Sequence, residues 1–296
     1  EAVCFLQKLN KIIFNSYPDA LIIAEESTSW PRVTRPVHED GLGFNYKWNM
    51  GWMNDMLRYM SMDPYFRRHN HSVLTFSMFY AFSENYILPL SHDEVVHGKK
   101  SLIDKMHGSY EEKFAQLKGF YAYTMAHPGK KLLFMGGEFG QFREWTENEQ
   151  LEWFLLDYPT HASLHRFVKM LNRIYLSNKA LWQIDDSWDG FRWINEKDAD
   201  HSVLSFMRIG KSKNDYLIVV CNFTPIKWDG YIIGVPEYCE YQVMLNTDDS
   251  ESGETANSLK VYKADKNGHM DYNYSIEIDL PPFATLYLKK TDIKNL

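Results

Sequence analysis

The chain has 296 residues, enough for one large domain or two ordinary ones, and its 45% hydrophobic and 24% charged content fits a globular protein with a sizeable core. A formal net charge of -7 with no long Lys/Arg block argues against nucleic acid or an anionic membrane as a partner. No signal-like N-terminal segment and no run of about 18 apolar residues occurs, so neither secretion nor membrane spanning is expected. Cys4, Cys221 and Cys239 lack CxxC or metal-ligand spacing; no disulfide framework or zinc site is expected, and a reducing, cytoplasmic setting fits.

In chain order, Phe5, Leu9, Ile12 and Ile13 recur at helical spacing, and Tyr17-Pro18-Asp19 ends that helix. Residues 20–24 form a buried-strand run leading into Glu25 and Glu26. Residues 42–48 alternate Leu42, Phe44, Tyr46 and Trp48 like a second strand, followed by a helical stretch rich in Met and Trp. A third strand, residues 86–90, leads into Ser91-His92-Asp93-Glu94, with Pro89 tolerated near its end. A helix with Phe114, Leu117, Tyr121 and Met125 on one face closes at His127-Pro128-Gly129. A fourth strand, residues 131–135, runs into Gly136-Gly137-Glu138, and a last helix carries Leu164, Phe167, Leu171 and Ile174.

This alternation predicts a parallel sheet covered by helices. In a βα-barrel the loops after the strand C-termini open on one face, where active sites sit, and three of these strands end in carboxylates. Four units are half of a closed eightfold barrel and would leave two sheet edges unpaired. Further on the texture turns to short β-type runs, at residues 190–194, 202–209, 216–222, 241–245 and 275–280, which read as a β-sandwich. Residues 248–257 are polar and read as a mobile loop. The expected fold is therefore α/β: the second half of a (β/α)8 TIM barrel over residues 1–178, followed by an all-β sandwich over residues 179–296. The chain opens at Glu1 in a helical pattern and without Met, from which an incomplete protein is expected.

Glu25, at the end of an apolar strand, stands where partial desolvation would raise a carboxylate toward general-acid use. One of Glu25 and Glu26 could equally cap an element or face solvent. His92 beside Asp93 could hold sugar hydroxyls while the carboxylate stabilises positive charge at a sugar carbon. An Asp and a Glu delivered to one face suit glycosidic chemistry, which needs one acid for the leaving oxygen and another for an oxocarbenium-like state. Ser91, Asp93 and Glu94 would also serve a helix N-terminus. His92 and His97 are five apart, about 140° on a helix, and cannot form the zinc HExxH pair. Gly136-Gly137-Glu138-Phe139-Gly140 lacks a phosphate-loop pattern, and Lys99 and Lys100 read as a solvated pair. Exposed rings such as Trp30, Trp145 and Trp153 could stack on sugar faces or anchor packing.

With these residues placed, Ala24-Glu25-Glu26-Ser27-Thr28 with Trp30-Pro31, and the segment from Leu90 through Ser91-His92-Asp93-Glu94-Val95-Val96-His97-Gly98-Lys99-Lys100-Ser101, resemble two conserved regions of bacterial glycogen (1,4-α-glucan) branching enzymes. The stretches from Gly41 to Asn49 and from Leu132 to Phe139, and Asn222-Phe223-Thr224-Pro225, resemble that family too. The resemblance implies an α-amylase-clan barrel with a C-terminal β-sandwich, no cofactor or metal, and an α-1,4-glucan as substrate. By it Glu25 aligns with the proton donor, Asp93 with the transition-state stabiliser, and His92 with a group binding donor-sugar hydroxyls. The family cleaves an α-1,4 bond with retention and transfers the segment to a 6-hydroxyl; the alternatives are another α-amylase-clan glycoside hydrolase and a non-catalytic glucan-binding module whose rings stack on sugars. Its carboxylate nucleophile lies upstream of the segment matching Glu1, so the missing N-terminal barrel half is an expected partner, and these residues alone are expected to be inactive.

Overall fold

The computed structural model describes residues 1–212, 214–248 and 260–291. The expected loop at residues 248–257 lies, apart from Asp248, outside the described residues. Helix α1 (Ala2–Ser16) leads to the short strand β1 (Ile23–Ala24), and a long loop to β2 (Tyr46–Trp48) and helix α2 (Met50–Ser61), whose cap Asn49 accepts the Trp52 N–H at 2.9 Å. Short helices α3 (Pro64–Arg67) and α4 (Ser72–Phe76) precede β3 (Tyr86–Leu90). Then follow α5 (Leu102–Lys105), α6 (Tyr110–Ala126), β4 (Lys130–Leu133) and α7 (Pro159–Ser177). A capping box between Ser109 and Glu112 starts α6, and Pro159 opens α7 where its missing N–H costs nothing.

Strands β1 to β4 form one sheet in sequence order, every pair parallel, so their C-terminal ends point the same way. The second strand is shorter than its alternating pattern promised. Gly43 takes φ 82°, which breaks the strand, and residues 42–44 instead bond back to the loop: Leu42 N–H to Arg32 O at 2.9 Å, Gly43 to Arg35 O at 3.0 Å, Phe44 to Val33 O at 3.2 Å. The helical stripe of α1 is a second departure. Phe5, Leu9 and Ile12 are exposed, while Val3 and Leu6 pack on Ala24, Val33 and Leu42, and Asn10 is the buried residue, donating to Leu42 O at 2.8 Å.

The β-rich part contains β5 (Phe191–Asn195), β6 (Val203–Ile209), β7 (Tyr216–Asn222), β8 (Trp228–Val235), β9 (Glu240–Asn246), β10 (Val261–Lys263), β11 (Tyr274–Leu280) and β12 (Thr285–Thr291). Six make an antiparallel sheet in the order β10-β9-β12-β7-β6-β5, and β11 pairs with β8 in a second sheet. Alternation sorts the side chains of the six-stranded sheet. Leu204, Phe206, Leu217, Val219, Cys221 and Tyr287 share one core with the helices, whereas Met207, Ile218, Val220, Leu286 and Leu288 share another with Ile233, Val235, Ile276 and Ile278 of the small sheet. The larger sheet is therefore buried on both faces.

The seam between helices and sheet is close and polar at its edges. Gly119 of α6 leaves no room for a Cβ, which would stand 2.4 Å from Phe283 O. Thr285 Oγ1 donates to Gly119 O at 3.0 Å. The buried Arg67 donates to Phe223 O at 2.8 Å and to Met60 O at 2.9 Å. Arg208, also buried, reaches Ala126 O at 2.7 Å, Gly190 O at 3.1 Å and the Asp185 carboxylate at 2.6 Å. Asn222 explains the Asn-Phe-Thr-Pro segment: its amide donates to Ile226 O and Pro281 O, and its oxygen accepts from Thr224, which closes the turn after β7.

Candidate active site

Glu25 and Glu26 follow β1 directly and have different fates. Glu26 accepts from Lys47 Nζ and, at 2.6 Å, from the Thr28 N–H, while Lys47, buried on β2, also donates to Thr28 O at 2.9 Å. Burial alone would raise the Glu26 carboxyl, but the hydrogen bonds from Lys47 and Thr28 outweigh it and hold the group below its usual value. Glu26 is thus the fixed member of the pair. Glu25 has an exposed side chain, so the burial expected at this strand end is not found around it. The loop beyond is anchored by the buried Glu84, which accepts the Val33 N–H at 2.8 Å and the Thr34 N–H at 2.7 Å.

His92 and Asp93 open a 3-10 turn, His92–Val95, directly after β3. Ser91 and Glu94 close its capping box: Ser91 Oγ accepts the Asp93 N–H, and the buried Glu94 carboxylate accepts the Ser91 N–H at 2.6 Å and its hydroxyl at 2.7 Å. The capping task therefore falls to Ser91 and Glu94 and leaves the Asp93 carboxylate available. His92 Nε2 stands 3.3 Å from Asp93 Oδ1, with both side chains about half exposed. The His92 ring leans on Phe134 at 5.9 Å, and Phe134 meets Trp145 edge-on at 5.3 Å, so the imidazole rests on an aromatic shelf from the segment after β4.

His92 and Asp93 stand side by side in the turn after β3, while Glu25 follows β1, which is separated from β3 by β2 in the sheet. Among the described residues no hydrogen bond or ion pair joins Glu25 to either. Lys99 and Lys100 are exposed as expected, but Lys99 Nζ also donates to Asp93 O at 2.8 Å. Trp30 and Trp153 are half exposed, while Trp145 is committed to Phe134. Lys47, Glu84, Lys105 and Glu144, which fix the loops around the site, went unnoticed in the sequence because nothing in their spacing sets them apart from surface charges. Among the described residues no group of three or more His, Cys, Asp or Glu side chains converges as a metal site, and no helix is long and apolar enough to cross a membrane.

Residues 193–291 match the family described as alpha amylase, C-terminal all-beta domain. The fold is similar to that of a cyclomaltodextrinase (TM-score 0.64, 14% identity, 96% of this chain and 43% of that one) and of the α-amylase from H. orenii (TM-score 0.59, 15% identity, 98% and 57%). A four-stranded parallel sheet joined to an all-β domain fits part of a barrel with its C-terminal domain, as in the α-amylase-type fold. At the level of sequence the likeness is much closer. The chain is 54% identical over 291 residues to the 1,4-alpha-glucan branching enzyme GlgB of Halothermothrix orenii and 52% identical over 298 residues to that of Geobacillus stearothermophilus. These alignments cover 98% and 99% of this chain but 46% and 47% of the relatives, so the chain spans about half the length of the curated relatives it matches. Over that span the chain is similar to proteins named 1,4-alpha-glucan branching enzymes.

Proposed function

We propose that the chain forms the second barrel half, residues 1–178, and the β-sandwich domain, residues 179–296, of an enzyme that cleaves an α-1,4-glucosidic bond and transfers the released segment to a 6-hydroxyl, making an α-1,6 branch. The observation that carries this reading is the identity of about half over nearly the whole chain to proteins named branching enzymes. In the reaction Glu25 gives its proton to the leaving 4-oxygen as the bond to the anomeric carbon breaks, and the glycosyl group passes to a carboxylate nucleophile. Glu25 then takes the proton of the acceptor's 6-hydroxyl as the new bond forms. Asp93 stabilises the positive charge developing at the sugar carbon, and His92, steadied by Phe134, hydrogen-bonds donor-sugar hydroxyls.

Glu25 rather than Glu26 suits the proton-shuttling role because Lys47 holds Glu26 ionised and immobile. The nucleophile belongs to the barrel half outside these residues, and the 296 residues alone are expected to leave the iodine staining of amylose unchanged. An α-1,4-glucan such as glycogen, and a cytoplasmic setting, complete the proposal. In a barrel-complete protein containing this sequence, Glu25→Gln is expected to lower turnover by about 10²–10⁴-fold while amylose binding persists. Unchanged turnover would remove Glu25 from the role.

A further inference from the structure

Just past Asp93 the backbone makes a turn in which His97 (φ 56°), Gly98 (φ 81°) and Lys100 (φ 67°) are all left-handed. For His and Lys this conformation costs energy, and it persists only where the surroundings over-determine it. Two side chains do so here. Glu144, from the segment after β4, accepts the Gly98 N–H at 2.8 Å on one carboxylate oxygen and the Lys100 N–H at 2.5 Å on the other. Lys105 of α5 donates to Glu94 O at 2.6 Å, Lys100 O at 2.6 Å and Lys99 O, so the three donors of its ammonium meet three carbonyls. The two backbone N–H groups hold the Glu144 carboxyl below its usual value, and burial pulls the Lys105 ammonium below its own despite the nearby Glu144 and Glu94. The turn is linked in its own right to the reacting end of β3, since Lys99 Nζ donates to Asp93 O at 2.8 Å. A third tie, Trp145 N–H to Val95 O at 3.0 Å, joins the same two loops.

We propose that Glu144 and Lys105 are positioning residues for Asp93: they lock the turn of residues 97–100, and the locked turn, through Lys99, fixes the backbone from which Asp93 and His92 face the substrate. The role of Asp93 in this inference rests on the branching-enzyme reading. A loop that only covered the surface could relax into ordinary turns. Here a carboxylate and an ammonium from two different elements are spent on one strained turn beside the candidate site.

The test has two arms. In a barrel-complete protein containing this sequence, Glu144→Gln places an amide N–H₂ against a backbone N–H, and Lys105→Met removes all three donors. Both variants are expected to shift the NMR signals of the Gly98 and Lys100 amides and of the Asp93 carbonyl carbon, while unfolding stays a single transition whose midpoint falls by about 2–4 °C per kcal/mol lost. In a barrel-complete protein the same variants are expected to lower kcat about tenfold with KM changed by less than about twofold, since small misplacements of a reacting group act on the chemical step. An Asp93 signal unmoved in both variants, or an unchanged kcat, would overturn the inference. If the wild type makes no branches, the functional reading fails by itself and the Asp93 signal still decides the clamp.

Discussion

Lys47 fixes one of two adjacent glutamates, Glu26. Its ammonium is buried, and Glu26 with Thr28 O provides its partners, so Lys47→Met would leave the half-buried Glu26 carboxylate without its charged partner and held by Thr28 alone. The variant is expected to lose about 1–3 kcal/mol of stability by denaturant titration, the range for removing a charged hydrogen-bond partner from a partly buried group. The pH dependence carries a sign. Glu26 is held below its usual value of 4.5 in the folded chain, so its contribution is fully present above that pH and is lost as the pH falls below it. Melting temperature against pH should therefore drop less steeply on the acid side of 4.5 in Lys47→Met than in the wild type; parallel curves would show that the pair is not what sets the acid limb. At this scale the sequence marks the acids at strand ends and is silent about which of them are held. Glu25, His92 and Asp93 stand out by their strand-end positions, whereas the lysine that separates Glu25 from Glu26 lies 21 residues away and meets them only through the β1–β2 pairing.

The loop between β1 and β2 owes its course to Glu84, whose two oxygens serve the Val33 and Thr34 N–H groups and the Thr34 hydroxyl from 50 residues away. Glu84→Gln turns one of these oxygens into a donor facing a donor. A cost of about 1–3 kcal/mol is expected, together with faster amide exchange at Val33 and Thr34 in a hydrogen-exchange measurement; unchanged protection there would mean that the loop is held by other contacts. Elements were legible where their pattern was local. Strands β3 and β7 coincide with their apolar runs, and α6 carries its expected stripe of Phe114, Leu117 and Tyr121 but is buried on its other sides as well. Strand β2 is shorter than its alternation because Gly43 bends the chain before the alternation takes effect, and β8, β10 and β12 do not stand out as runs in the sequence. Their residues are mixed rather than alternating: β12 carries Thr285 and Lys289 around its apolar centre, and it becomes a central strand only through its partners β7 and β9. The stripe on α1 was seen, but its direction was not, because periodicity says which residues share a face and not what that face meets.

The whole molecule is organised around the six-stranded sheet, with helices on one face and the β8–β11 pair on the other. Arg208 ties this sheet to the helices through Ala126 O and to Asp185, whose carboxyl is pulled up by burial and, more strongly, down by Arg208 and its lysine neighbours. Arg208→Met would leave the Ala126, Gly190 and Ile184 carbonyls without their buried donor and Asp185 with Lys130 as its remaining ion-pair partner, and is expected to cost about 3–5 kcal/mol in a denaturant titration. A loss below about 1 kcal/mol would show that the seam is held by apolar contact alone. The functional account concerns the same whole: a barrel face bearing Glu25, His92 and Asp93, completed by a nucleophile from elsewhere in the barrel. The most direct measurement is to incubate amylose with a barrel-complete protein containing this sequence and to count, over time, both the α-1,6 linkages released by a debranching enzyme and the reducing ends before debranching. Transfer predicts that α-1,6 linkages accumulate while reducing ends stay constant. Reducing ends that rise with every α-1,4 bond lost, without new branches, would contradict it.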